Sequence, residues 1–104
     1  MSLRKNFQWK FENMILNKIF ADSLYLAVLE TFLENPTEAM SITNISRRIN
    51  KNVGSVFRII PELKKRNLVK ELKVSPKRYA YKLNTNEPVV AKLLDFYNSL
   101  KSLD

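Results

Sequence analysis

The chain has 104 residues, 45% of them hydrophobic, and 18 Lys+Arg against 10 Asp+Glu give a formal charge of +8. That length and apolar content suit one folded core and make disorder a poor reading of the chain. The absence of Cys and His removes disulfide frameworks, thiolate metal sites, thiol nucleophiles and imidazole bases.

Residues 1–21 read as a basic, aromatic arm or helix. Phe7, Trp9 and Phe11 alternate as in a strand, whereas Phe7, Phe11, Met14 or Ile15, and Ile19 are spaced as in a helix. A helix is expected from about Asn13, after an extended arm. Met1-Ser2-Leu3 carry no functional weight. No secretory h-region follows, and no apolar run approaches the ~18–20 residues of a membrane span. A cytoplasmic protein without a membrane partner is therefore expected.

Residues 22–87 hold the inner domain. Asp22 or Ser23 can cap a helix in which Leu26, Leu29, Phe32 and Leu33 recur at helical spacing, and Asn35-Pro36 closes it. Ser41 or Thr43 then caps a short helix with Ile45 and Ile49 on one side and Asn44, Ser46, Arg47 and Arg48 on the other. Asn50-Lys51-Asn52 has the composition of a tight turn, and Asn52 suits the cap of the next helix, about residues 53–66. Val53, Val56, Ile59, Ile60 and Leu63 are its apolar set, and Pro61 is expected to kink or shorten it. Lys64-Lys65-Arg66 suit the negative end of the helix dipole, and Asn67 suits the left-handed position that follows.

The period then changes. Leu68 to Val74 and Tyr79 to Leu83 read as a β-hairpin with a basic tip, its wing about residues 74–78, and Tyr79 and Tyr81 read as core. Pro88 opens a last helix over residues 88–104, where Val89, Val90, Leu93, Leu94, Tyr97 and Leu100 form a broad stripe. Leu93, Leu94, Tyr97 and Leu100 are candidates for the chain's own core, for a dimer seam, or for both. Phe7, Trp9 and Phe11 are placed to complete such a seam.

The predicted fold is mainly α with a small β-hairpin: a winged helix-turn-helix flanked by N- and C-terminal helices. The charge follows this order. Residues 41–82 carry twelve Lys or Arg against Glu62 and Glu71, whereas residues 21–40 carry only the acids Asp22, Glu30, Glu34 and Glu38. A field so localised matches a phosphate backbone.

Thr43-x-Ile45-x-x-x-Ile49, Val56-x-Arg58-x-Ile60-x-x-Leu63, Arg66-Asn67-Leu68-Val69 and Tyr81-x-Leu83-Asn84 with Pro88 behind them carry a resemblance over roughly residues 22–100. The chain resembles small prokaryotic transcriptional regulators, archaeal ones of MarR/ArsR type in particular. The resemblance implies homodimeric, sequence-selective binding of double-stranded DNA, with repression by promoter occupancy as the default outcome. Asn67 departs from the family's usual glycine, and asparagine is its nearest conformational substitute.

With Val56, Ile59, Ile60 and Leu63 turned inward, Gly54, Ser55, Phe57, Arg58 and Glu62 look outward as base-edge candidates. Arg58 suits a bidentate contact to guanine, and Phe57 suits either a thymine methyl or, after a slight rotation, the core. Asn44, Arg47, Arg48, Lys51 and Asn52, with Lys77 and Arg78 at the wing, are the phosphate or minor-groove candidates. Solvated surface cations are the plain alternative for the basic residues, and edge protection is the alternative for Lys77 and Arg78. A winged-helix protein-interaction module without specific DNA binding is the alternative function. Catalysis is not expected, because the acids are scattered and Gly54, the only glycine, cannot form a phosphate cradle. Neither a cofactor nor His/Cys metal sensing is expected. A small-molecule effector would leave no motif.

Overall fold

The computed structural model describes residues 14–103. Among them the order is α1 (Ile15–Phe20), α2 (Leu24–Glu34), α3 (Ile42–Ile49), α4 (Val53–Lys65), β1 (Val69–Ser75), β2 (Arg78–Leu83) and α5 (Pro88–Lys101). This is a winged helix-turn-helix with helices on either side of it. Phe7, Trp9, Phe11 and Asn13 lie outside the described residues.

Local chemistry sets the boundaries. Ser23 Oγ accepts from the Leu26 N–H (3.3 Å), Ser41 Oγ from Asn44 (3.1 Å), and Asn52 Oδ1 from Ser55 (2.7 Å), each giving an unpaired N–H of a helix start an acceptor. Asn50 and Asn67 take left-handed φ of 57° and 60°. Asn67 and Leu68 donate to the Lys64 and Leu63 carbonyls (both 2.9 Å), and Asn50 and Lys51 bond to Arg47 and Ser46 in the same way. Both helices thus end in the paired-carbonyl closure that glycine usually provides.

α1 has no side-chain cap of its own. Its first two N–H groups donate instead to Glu30 of α2, Ile15 to Oε2 (3.0 Å) and Leu16 to Oε1 (2.8 Å). The turn between α1 and α2 passes through Ala21 at φ 108° and ψ 157°, a region that L side chains rarely adopt. Asn17 Oδ1 accepts from the Ser23 N–H (3.3 Å) and holds this corner.

The core lies between α2, α3, α4 and the base of the hairpin. Phe32, Leu33, Ile45, Ile49, Val56, Leu63 and Leu83 are all fully buried. β1 and β2 pair antiparallel with Val69 opposite Leu83 and Lys70 opposite Lys82, and an irregularity between Lys73 and Ser75 displaces Val74. On the other edge of β2, Met40 bridges Tyr81 through two 2.8 Å hydrogen bonds. Among the described residues, the outer edge of β1 carries no strand. Asn84 closes the hairpin base, its N–H donating to the Leu68 carbonyl (2.9 Å) and its Nδ2 to that of Asn67 (3.0 Å).

Four expectations are corrected. Pro61 does not shorten α4, which runs on for four residues to Lys65; Pro61 lies on the exposed side, where water can take the carbonyl it leaves free. Ser46 is buried rather than outward, its hydroxyl donating to the Ile42 carbonyl (2.7 Å). Tyr79 is 43% exposed because it pairs with Lys73 beyond the reach of the core, whereas Tyr81 is buried. Val89 is 64% exposed, outside the inward stripe of α5.

Glu30 belongs to the acidic α2 but is withdrawn from its surface. It is fully buried, and the hydroxyl of the equally buried Tyr97 of α5 reaches both its Oε2 (2.9 Å) and Oε1 of Glu34 (2.7 Å). Tyr97 is therefore filled by the chain's own core and is withdrawn from any seam between copies. Lys101 Nζ completes the cluster, 3.2 Å from Glu34 Oε2 and 5.6 Å from the Tyr97 ring centroid.

Candidate nucleic-acid interface

α4 is amphipathic by placement. Val56, Ile60 and Leu63 are buried, while Val53, Gly54, Phe57, Arg58, Pro61 and Glu62 are exposed and Ser55 is half-buried. The helical repeat gathers Gly54, Phe57, Arg58 and Glu62 on one outward side. Arg58 enters no ion pair among the described residues, so its guanidinium fork stays open to a ligand. Glu62 is paired with Arg66 (2.7 Å), and that guanidinium holds its carboxyl below the ordinary value. A carboxylate tied in this way is a poorer acceptor for a base-edge donor.

The other polar candidates divide by occupation. Arg47 and Lys51 are exposed. Arg48 is half-buried in an ion pair with Glu38, which ties α3 to the segment before it. Asn44 is half-buried with its Oδ1 unpartnered, and Asn52 spends its Oδ1 on the α4 cap. Lys77 and Arg78 are exposed at the hairpin turn. Lys64 is held by Glu71 (2.8 Å) across the α4–β1 junction, which raises the Lys64 ammonium and lowers the Glu71 carboxyl from their ordinary values.

Sequence reasoning missed part of this surface. Lys70 and Lys82 stand directly opposite each other across the hairpin, and exposed Lys73 lies nearby on β1. Like charges facing across a strand pair repel, and a polyanion relieves that repulsion. All three count toward the positive charge of residues 41–82, but only the register brings Lys70 against Lys82. Val53, one of the apolar set of α4, is 47% exposed beside Phe57 at 62%.

On α5, Leu93, Leu94 and Leu100 are half-buried against the chain's own core. Val89 and Phe96, seven residues apart on the helix, are 64% and 44% exposed, and Leu103, two residues past its end, is 83% exposed. Among the described residues, no helix is long and apolar enough to cross a membrane.

No protein family matches the chain, and no curated protein matches it in sequence. Solved structures do match its fold. A protein from Archaeoglobus fulgidus, AF1382, aligns with a TM-score of 0.63 at 16% identity, over 85% of this chain and 94% of that one. The ferric uptake regulator of Francisella tularensis, solved with iron, aligns with a TM-score of 0.54 at 18% identity, over 61% of this chain. The match spans about half of that regulator, 52% of its length. At these identities the likeness is one of fold.

Proposed function

We propose that this protein is a transcriptional regulator that binds double-stranded DNA sequence-selectively, with α4 in the major groove and the hairpin turn on the backbone or in the minor groove. Repression by occupying a promoter is the mode that needs no further surface. The observation that carries the reading is the outward side of α4, where unpaired Arg58 stands beside Gly54 and Phe57 in a segment of high positive charge. Likeness of fold to a protein whose name is that of a regulator supports it.

Arg58 is assigned to base reading, since its open fork matches guanine O6 and N7. Arg47, Lys51, Lys77 and Arg78, joined by Lys70, Lys73 and Lys82, are assigned to phosphates, which fix register and carry no sequence information. The chain acts as a homodimer joined along α5, and the exposed Val89, Phe96 and Leu103 support that assignment. A two-fold assembly sets two α4 helices about 34 Å apart over a near-palindromic site.

Gel-shift titration at two salt concentrations tests the proposal. Affinity for duplex should fall steeply with salt, and Arg58→Ala should erase sequence preference more than bulk affinity. Absence of duplex binding at low salt, with a protein partner retained through purification, would instead support a winged-helix interaction module.

A further inference from the structure

Phe57 and Val53 are one helical turn apart on the outward side of α4, and both leave much of their surface in water, 62% and 47%. Residues four apart on a helix are neighbours, so the two make one small apolar patch. Gly54 lies beside them. A Cβ built on Gly54 would meet only Asn52 Oδ1, at 3.5 Å, and its φ is not positive. Among the described residues, neither space nor backbone conformation requires glycine there, although glycine is a poorer helix former than alanine. The described residues thus leave both the patch and the gap open.

The neighbouring charge narrows the choice of partner. Arg58 stands next to Phe57, and α4 lies within the positive segment of residues 41–82. A polyanion suits this setting better than an apolar protein groove. In the major groove the base edges present hydrogen-bond donors and acceptors, and the single apolar group among them is the C5-methyl of thymine. We propose that Phe57, with Val53, reads a thymine methyl, and that the Gly54 gap lets α4 come close enough to bury it. The assignment rests on the duplex-binding reading above and adds a base preference to it: thymine beside the guanine contacted by Arg58.

The test uses a duplex recovered by selection from a random pool, remade with deoxyuridine replacing each thymine in turn. That exchange removes the methyl and leaves every hydrogen-bonding group in place. One position per half-site should lose affinity about three- to fivefold, the equivalent of one buried methyl, and Phe57→Ala should bind the thymine and deoxyuridine duplexes equally. Circular dichroism of Phe57→Ala should match the parent, since the side chain supports no core. Salt-dependent duplex binding with no effect of deoxyuridine anywhere, or a methyl effect that survives Phe57→Ala, overturns this inference and leaves duplex binding standing. Failure to bind any duplex at low salt overturns both.

Discussion

Tyr97 donates its hydroxyl to Glu30 across a separation of 67 residues, at 2.9 Å and fully buried. The same oxygen lies 2.7 Å from Glu34 Oε1. One hydroxyl proton cannot serve two ionised carboxylates, so both contacts are hydrogen bonds only when a carboxyl proton is also present. Glu30 caps α1 from α2 and receives Tyr97 from α5, so this one side chain ties three helices together. Tyr97→Phe should lower stability by about 2 kcal/mol, the scale of a buried hydrogen bond to a charged partner. Urea unfolding measures it; a change below about 0.5 kcal/mol would count the contact as idle.

The same cluster sets a pH dependence of unusual sign. Burial raises the Glu30 carboxyl above its ordinary 4.5, against the opposing pull of the Leu16 N–H, the Tyr97 hydroxyl and the Ile15 N–H. Glu34 on α2 and Tyr97 and Lys101 on α5 are the titratable groups of the cluster. A raised pKa means that the folded chain holds the proton where the unfolded chain has lost it. Glu30's contribution is thus fully present below 4.5 and is lost as pH rises from there through the folded value. Glu30→Gln removes that titration. The stability of the parent minus that of Glu30→Gln should fall as pH rises from about 4 to about 8; a flat or rising difference contradicts the assignment.

Ala21 holds φ at 108°, where a Cβ is strained and glycine is not. Ala21→Gly should raise stability by about 1 kcal/mol after the added freedom of the unfolded chain is counted. Thermal unfolding reads this as a rise of about 4–8 °C for a domain of this size. A lower midpoint would show that the corner is not strained.

Gly54→Ala should act with opposite signs on two measurements. Within a helix it should stabilise the free chain by about 0.5–1 kcal/mol. On the duplex it should weaken binding, because the new methyl fills the gap on the approaching face. Unfolding and gel-shift titration of the one variant separate these effects, and unchanged duplex affinity would remove Gly54 from the interface.

Phe96→Asp tests the seam on α5. Phe96 is 44% exposed within one chain, so the variant should fold, yet a charge there opposes pairing of Val89, Phe96 and Leu103 with a second copy. Light scattering should give a two-chain mass for the parent and a one-chain mass for the variant. A single-chain parent refutes the dimer.

The helix caps, the left-handed Asn67, the hairpin and the order of elements were legible because each is dictated by residues close in sequence. Ser23, Ser41 and Asn52 cap as their side chains predict. What stayed hidden depends on distant partners. Nothing near Glu30 in sequence announces that it meets α1 and Tyr97, and nothing near Lys70 announces Lys82. Phe57 and Val53 show the limit of periodicity: spacing ranks the sides of a helix, but only packing decides how far the helix is rotated. Tyr97 was read correctly as apolar-facing, while its hydroxyl chemistry had no local signal.

The open outer edge of β1 bears on behaviour at high concentration. A strand with unpaired N–H and C=O groups is a template for another chain, and Leu72 and Val74 on β1 add exposed apolar surface to it. Lys70 and Lys73 put charge along that edge, and the displaced Val74 breaks its regularity. Charge at those positions opposes the addition of a further strand to the described sheet whether or not any nucleic acid is present.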